Sequence, residues 1–294
     1  MARAETNARS GLRVGLHTAL ALLAFAANSV LCRLALGNAT IDAASFTAIR
    51  LTAGAATLWL LVRVATPARA ARPRGDWVSA AALFTYATAF SFAYLSLSAG
   101  TGALVLFGAV QTTMILAGLQ SGERPHPVQW AGLLAAAGGF AALVFPGLTA
   151  PSPAGAALMA LAGAAWGVYS LRGRGATDPT AVTADNFMRS APLALLVVLA
   201  TLPVAHRSPQ GVWLAVASGS LASGIGYVLW YAALRGLTAT RAAAVQLAVP
   251  ALVAFAGVMF LAEPVSPRLI GSAILILGGV GLTLVGSERS GRPR

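Results

Sequence analysis

Apolar residues in this chain fall into ten long runs, each close to the roughly 20 residues that a membrane-spanning helix needs. Short breaks rich in proline, glycine and arginine separate the runs. The pattern predicts an all-α integral membrane protein with ten transmembrane helices. The runs are 14–35, 43–64, 76–97, 101–119, 128–146, 154–171, 181–203, 210–233, 239–261 and 267–286.

A passage in the first half of the chain is repeated in the second. When residues 103–144 are set over residues 243–284, a shift of 140, the same residue types coincide in an apolar run, a Glu-led turn and a Gly-Gly pair. Self-similarity over such a distance in an apolar chain indicates the internal duplication of a transporter. The coinciding pairs are Ala103 with Ala243, Val105 with Val245, Glu123 with Glu263, Pro127 with Pro267, Gly138 with Gly278 and Gly139 with Gly279.

Two arginines extend this repeat into the earlier helices. Arg33 and Arg50, shifted by 139 residues, coincide with Arg172 and Arg189. Each copy then holds five helices, and because five is odd, the second copy must enter the membrane from the opposite side. We therefore expect a five-plus-five inverted repeat around a central cavity. The first copy covers 14–148 and the second covers 149–286.

The distribution of arginine predicts the orientation of the chain. Most arginines lie on the side of the membrane that holds both termini, whereas Arg33, Arg207 and Arg268 lie on the other side. The positive-inside rule then predicts that 1–13 and 287–294 are cytoplasmic tails. The expected location is a bacterial-type inner membrane. The first apolar run is long enough to span and has no convincing small-residue cleavage site, so we expect a retained helix rather than a signal peptide.

The amino-acid composition excludes several other classes of protein. The chain is 57% apolar and only 10% charged, and its mean hydropathy is +0.76, whereas a soluble domain is about one-quarter charged. The net charge of +12 comes from arginines spread thinly between apolar runs, which is typical of membrane topology and not of nucleic-acid binding. The single cysteine, Cys32, forms neither a disulfide framework nor a metal-ligand cluster, and no cofactor is expected.

The ten helices, the Glu-led turns Gly122-Glu123-Arg124 and Ala262-Glu263-Pro264, and the glycine-rich fifth and tenth helices resemble the EamA branch of the drug/metabolite transporter superfamily. Within that branch, the chain most resembles the YddG-type exporters of aromatic and other hydrophobic amino acids. The resemblance implies a basket of helices one, three, four, six, eight and nine around the cavity, with helices five and ten at the back.

Polar and aromatic side chains within the runs are candidates for substrate contact, because a group that needs a partner in lipid usually faces the bundle interior. Aromatic rings stack on the side chain of an amphiphilic guest, while amides serve its ammonium and carboxylate groups. The expected partner is a small neutral or zwitterionic molecule such as an amino acid, bound by a monomer in the bilayer. The candidates are Asn28, Tyr86, Phe90, Tyr94, Gln111, Trp166, Tyr169, Tyr227, Trp230 and Gln246.

Structural roles compete with substrate contact for each of these residues. The amides can bridge helices, and the aromatic residues can pack against neighbours. Aromatic side chains near the ends of the runs are expected to mark the membrane interfaces. These are Trp59, Trp77, Trp130 and Trp213.

Four charged residues are predicted to have structural or gating roles. Arg50 and Arg189 lie in the first half of their runs and are expected to be peripheral anchors that snorkel or hold helix ends. Asp185, four residues before Arg189, is expected to pair with it. Glu123 and Glu263 are expected to make turn or gate contacts.

The placement of the acidic residues predicts how transport is driven. Every Asp and Glu falls in a tail, a loop or the first turns of a helix, so no titratable group is expected in the translocation path and the protein is predicted to be a uniporter. Proton-coupled antiport and export of other metabolites or drugs, including nucleotide sugars, are the alternatives. No nucleophile with a base, metal cluster or carboxylate pair at matched depth is found, so an enzyme is not expected.

Overall fold

The computed structural model describes most of the chain, and within the described residues it is helical apart from short connections. In these ranges a single antiparallel bridge, between Ile41 and Arg207, is the only β-type pairing. It joins the loop before the second helix to the loop before the eighth. The described residues are 2–65, 74–120, 127–144, 150–173, 176–237 and 245–290.

The described helices follow the predicted apolar runs, with shifts of a few residues at most of their ends. The start of the ninth run, expected at 239, lies outside the described residues, and the ninth helix begins at Ala248. The first and last helices extend further, into the tails expected at 1–13 and 287–294. In chain order the helices are α1 (Ala2–Gly37), α2 (Ala43–Ala65), α3 (Trp77–Ala93), α4 (Ala99–Gln120), α5 (Pro127–Val144), α6 (Pro153–Gly173), α7 (Pro179–Ala200), α8 (Pro209–Leu234), α9 (Ala248–Leu261) and α10 (Pro267–Ser290).

Six of these helices, α1, α2, α4, α6, α7 and α8, contain stretches long and apolar enough to cross a membrane, and α3, α5, α9 and α10 contribute shorter apolar helices. Large apolar side chains also cover the outside of the bundle, where Val64 and Phe260 are 81% and 73% exposed. Such a surface is stable in lipid and not in water. The prediction of an all-α, multi-pass membrane protein is confirmed.

Four tryptophans lie on the surface of the bundle, whereas small residues are common in its core. Trp59, Trp77, Trp130 and Trp213 are all exposed on the outside of the bundle, which fits their expected place at the membrane interfaces. The core is rich in alanine and glycine, which let helices approach closely.

The helices pack in a regular scheme. α2 packs against α7, and α5 packs against α10. α3 and α4 pack against α6, while α8 and α9 pack against α1. α2 also contacts α8, and α7 contacts α3. α1, α3, α4, α6 and α8 consequently meet in the middle of the bundle, and α5 and α10 lie together behind α4.

One glycine of each Gly-Gly pair allows the close approach of α5 and α10. A Cβ added at Gly279 would lie 2.6 Å from the Ala136 nitrogen, and one at Gly139 would lie 2.7 Å from a side chain of α10. At Gly138 and Gly278 an added Cβ would meet no neighbouring atom within 4 Å. The second glycine of each pair therefore allows the close approach of α5 and α10, whereas the first does not contribute to it.

The middle of α8, Ser218–Ile225, is π-helical. Gly219 lies in this segment against the backbone of α2, so that a Cβ there would collide with the carbonyl oxygen of Arg50. The wider turn and the missing side chain bring α8 close to α2. Segments of this kind occur frequently at functional sites.

Candidate substrate-binding site

Four aromatic side chains from four helices enclose a cavity within the bundle. They are Phe25 of α1, Tyr86 of α3, Trp166 of α6 and Tyr227 of α8, which we call the aromatic box. Ring centroids are 5.0 Å apart for Tyr86 and Trp166, 5.1 Å for Trp166 and Tyr227, and 6.1 Å for Phe25 and Tyr227. These spacings are typical of tilted and edge-on aromatic pairs, which hold the rings in fixed orientations.

Polar side chains complete the wall of the cavity. The amide nitrogen of Asn28 donates to the Tyr86 hydroxyl at 3.3 Å, and the Ser218 hydroxyl donates to the Asn28 oxygen at 2.6 Å. The π-helical segment thus supplies a partner that fixes the Asn28 amide. The remaining lining side chains are Ser29, Phe90, Leu106, Phe107, Ala222, Ser223 and Gln246.

Arg50 lies directly behind this wall. Its Nη2 donates to the Tyr86 hydroxyl at 3.1 Å, and its Nε donates to the Ser223 hydroxyl at 3.3 Å. The guanidinium carbon lies 5.2 Å from the ring centre of Tyr86 and 5.1 Å from that of Phe90. Such cation–π contacts contribute about 0.5–2 kcal/mol each, which offsets only part of the cost of burying a charge.

The expectation that Arg50 is a peripheral anchor is wrong. The side chain is 1% exposed, and its Nη1 has no hydrogen-bond partner among the described residues. The position of Arg50 early in α2 suggested that it could reach the membrane surface. The close packing of α2 against α7 and α8 instead encloses it, and Gly219 of α8 lies directly against its backbone.

Six of the ten residues predicted to contact substrate line the cavity, and four do not. Tyr94 caps the end of α3, and its ring is edge-on to that of Phe90, with the two ring centroids 4.8 Å apart. The Tyr169 hydroxyl donates to Thr183 at 3.4 Å behind Trp166, and Trp230 packs against Phe25. The six that line the cavity are Asn28, Tyr86, Phe90, Trp166, Tyr227 and Gln246.

Gln111 is the fourth predicted residue that lies outside the lining. Its side chain is buried within the bundle, and its Nε2 has no hydrogen-bond partner among the described residues. Tyr86, Phe90 and Tyr94 are spaced by four residues and follow one face of α3. This face runs from the cavity to the helix end, which explains why Tyr94 lies outside the lining.

Several residues that line the cavity were not predicted from the sequence. Phe25 precedes Asn28 by three residues, so both lie on one face of α1, and this spacing could have identified it. Ser223 lies in a glycine- and serine-rich stretch whose π-helical geometry has no simple sequence signal. Small and aliphatic lining residues such as Ala222 and Leu106 have no chemistry that separates them from the core.

A carboxylate and an arginine together join four helices at one end of the bundle. Glu263 accepts hydrogen bonds from Arg33 Nε at 3.0 Å and from the backbone N–H of Ala99, at the start of α4, at 2.7 Å. Arg33 also donates to the Tyr94 carbonyl at 3.1 Å. Glu263 follows Ala262, whose left-handed φ of 50° ends α9 and turns the chain toward α4. α1, α3, α4 and α9 are thereby connected.

Other polar contacts hold the opposite end of the bundle. The predicted pair of Arg189 and Asp185 is confirmed at 3.0 Å, and Asp185 also accepts the Gly75 N–H at 2.8 Å. Arg189 lies over the ring of Trp77 at 5.2 Å. These contacts connect α7 to the start of α3. The other predicted gate residue, Glu123, lies outside the described residues.

Asp76 links α3 to α6 at this same end. Its carboxylate accepts from the Ser79 hydroxyl at 2.6 Å and from Arg172 at 3.0 Å, and its backbone N–H donates to Asn186 at 3.1 Å. The hydrogen bond from the Ser79 hydroxyl is the main cause that holds the pKa of Asp76 below the ordinary 3.8, and the Ser79 N–H and Arg172 act in the same direction.

The sequence profile of the EamA-like transporter family matches residues 153–285. The chain belongs to this family. An uncharacterised protein of Pseudomonas aeruginosa is 52% identical over 284 residues, which cover 95% of this EamA-like chain and 96% of that protein. A crystal structure of a protein with 21% sequence identity covers 95% of this chain and 99% of its own, with a TM-score of 0.68, and shows the same fold.

Membership of the EamA-like family decides the broad function. The protein is a membrane transporter of small substrates, and proteins of this family are in general not enzymes. The predicted resemblance to the EamA branch is confirmed, while the relation to the YddG-type exporters stays a prediction.

Proposed function

We propose that this EamA-like protein exports aromatic and other hydrophobic amino acids across the inner membrane by alternating access. The aromatic box is the observation that supports this proposal. Rings from four helices offer flat apolar faces to a hydrophobic side chain, and the hydroxyl and amide groups at Tyr86 and Asn28 offer partners to its polar end.

All ten helices cross the membrane in this proposal, as a five-plus-five inverted repeat with both termini in the cytoplasm. The packing scheme supports it. Exchange of α1–α5 with α6–α10 turns the contacts of α6 with α3 and α4 into those of α1 with α8 and α9, and the contact of α2 with α8 into that of α7 with α3. The pairs α2–α7 and α5–α10 exchange into themselves, as expected for a pseudo-two-fold axis.

Transport is downhill in this proposal, without proton coupling. Each acidic side chain that the structure describes lies in the first or last turns of a helix or in a connection, and the lining of the aromatic box contains no Asp or Glu among those residues. A proton-driven carrier needs a titratable group in the path. An imposed pH gradient across proteoliposomes should therefore leave the final substrate distribution unchanged; uphill accumulation would contradict uniport.

The substrate class is tested by counterflow. Proteoliposomes preloaded with one unlabelled compound are supplied with the same compound in labelled form, using phenylalanine, tryptophan, leucine, a nucleotide sugar and a lipophilic cation in turn. We expect exchange of the hydrophobic amino acids alone. Exchange of only the nucleotide sugar or the cation would replace amino-acid export with one of the alternative functions.

A further inference from the structure

We propose that Arg50 and the hydroxyl groups bonded to it form a subsite for a single carboxylate, and that the carboxylate rather than the ammonium group selects the substrate. The substrate class is then an apolar, preferably aromatic, monocarboxylate, with or without an amino group. The proposal rests on the proposed function in one respect: it takes the aromatic box as the substrate cavity.

The direction of the hydrogen bonds around Tyr86 is the first support. The Tyr86 oxygen accepts from both Arg50 Nη2 and Asn28 Nδ2, so its own proton is left to donate. The Ser223 oxygen likewise accepts from Arg50 Nε and keeps its proton for another acceptor. Both residues line the cavity. The wall therefore offers donors and needs an acceptor with several lone pairs, which a carboxylate provides.

The second support is a buried charge without a counter-charge. Arg50 is 1% exposed, and Nη1 has no hydrogen-bond partner among the described residues. The ion pairs of the described residues involve Arg33, Arg172 and Arg189 instead. Burying a cation is costly unless it is paired, and an ionised side chain at membrane depth usually marks a substrate path. A substrate carboxylate beside Tyr86 and Ser223 supplies the missing negative charge.

The same surroundings give an ammonium group no charged partner. The described lining residues include no carboxylate, and the oxygen of Asn28 already accepts from Ser218 at 2.6 Å. The positive charge of Arg50 repels a second cation in this poorly screened site. An amino group on the substrate is thus tolerated when a carboxylate accompanies it, and is not required.

Three compounds that share one ring separate these possibilities. 3-Phenylpropionate has the carboxylate alone, phenylalanine has both groups, and 2-phenylethylamine has the ammonium alone. Binding is measured by ligand-dependent thermal stabilisation of the purified protein in detergent, so that passive permeation plays no part. We expect the two carboxylates to bind within about threefold of each other and the amine to bind on the order of 10- to 100-fold more weakly, the loss expected for a charged hydrogen bond.

The outcomes distinguish the two proposals. Equal or tighter binding of the amine would overturn the carboxylate subsite and leave amino-acid export standing. Binding of 3-phenylpropionate, together with no counterflow of any amino acid, would support the subsite and contradict amino-acid export. Failure of all three compounds to bind would overturn the subsite.

Variants assign the effect to Arg50. Arg50→Gln should weaken binding of 3-phenylpropionate by about 10- to 100-fold. Tyr86→Phe keeps the ring and removes the hydroxyl donor, and it should weaken binding of 3-phenylpropionate by about three- to tenfold. This variant tests the subsite if Arg50→Gln does not fold. Arg63→Gln is the matched control, since Arg63 lies exposed on the same helix over the ring of Trp59. Unchanged binding in a folded Arg50→Gln, or in Tyr86→Phe, would overturn the proposal.

Discussion

Trp166 connects the two sides of the aromatic box, because its ring contacts Tyr86 on one side and Tyr227 on the other. Trp166→Ala should raise the half-saturation concentration for tryptophan and phenylalanine about three- to tenfold, the range expected for losing an aromatic contact. The effect on leucine should be smaller. Trp213→Ala, at a site 71% exposed on the outer surface, is the control. Unchanged transport in Trp166→Ala would make this residue a packing element only.

Asp76 makes the stability of the protein depend on pH. Its folded-state pKa lies below the ordinary 3.8, chiefly because the Ser79 hydroxyl donates to the carboxylate. The stabilisation is therefore fully present above the unfolded-state pKa and is lost as pH falls through the lower folded-state pKa. Asp76→Asn should lower the thermal unfolding midpoint at pH 7, and the difference from the unaltered protein should shrink below about pH 4. A difference independent of pH would contradict this role.

At the residue scale, the sequence predicted which chemical groups lie in the interior of the bundle better than it predicted the place of each side chain. Asn28, Tyr86 and Trp166 were predictable because amide and aromatic groups in apolar helices have few stable places other than the interior. The burial of Arg50 was not predictable, since its surroundings depend on how closely α8 approaches α2. Ser223 was missed for a different reason, because a serine in an apolar helix can hydrogen-bond its own backbone and then gives no sequence signal of a longer-range partner.

The contact of α5 with α10 depends on single glycines, and the chain provides its own control. In Gly279→Ala the new methyl group would collide with the Gly132 carbonyl and lie 2.6 Å from the Ala136 nitrogen. This should separate the helices and destabilise the protein by about 1–3 kcal/mol. Gly278→Ala meets open space and should be neutral or stabilising by up to about 1 kcal/mol. Thermal unfolding of both variants tests the contrast, and equal midpoints would contradict it.

At the element scale, the apolar runs predicted helices well and their ends less well. The third run was expected to continue to 97, but α3 ends at Ala93 with Tyr94 as its cap, and α4 begins at Ala99 after Ser98. Serine, alanine and leucine at this junction are compatible with either a helix or a turn, so only tertiary contacts such as that of Glu263 with the Ala99 N–H decide. The π-helical part of α8 was unpredictable, because its local composition also suits an ordinary α-helix.

At the scale of the whole molecule, the proposed repeat was inferred from the sequence because the same residue types coincide in the two halves. Gly139 and Gly279 coincide in this way, and both lie at the contact of α5 with α10. The cavity could not be predicted from the similarity of the two halves. Tyr86 has no aromatic counterpart at the same shift in α8, so comparison of the halves identifies residues at helix contacts but not the cavity residues that differ between them.

In the proposed alternating-access mechanism each end of the bundle must open. The carboxylate of Glu263 joins α1, α4 and α9, and we expect it to hold one end closed. Glu263→Gln keeps the shape of the side chain but removes the charge that binds Arg33. A part-buried charged hydrogen bond contributes about 1.5–3 kcal/mol, so this end should open about tenfold more often or more.

The single cysteine of the chain reports that opening, because Cys32 is fully buried beside Arg33. A membrane-impermeant maleimide added outside cells should label Cys32 slowly in the unaltered protein and about tenfold faster in Glu263→Gln. Asp185→Asn removes a carboxylate from an ion pair at the opposite end and should not raise the labelling rate. Equal rates in all three proteins would mean that Glu263 stabilises the fold without controlling access. Labelling only from the cytoplasmic side would reverse the proposed orientation.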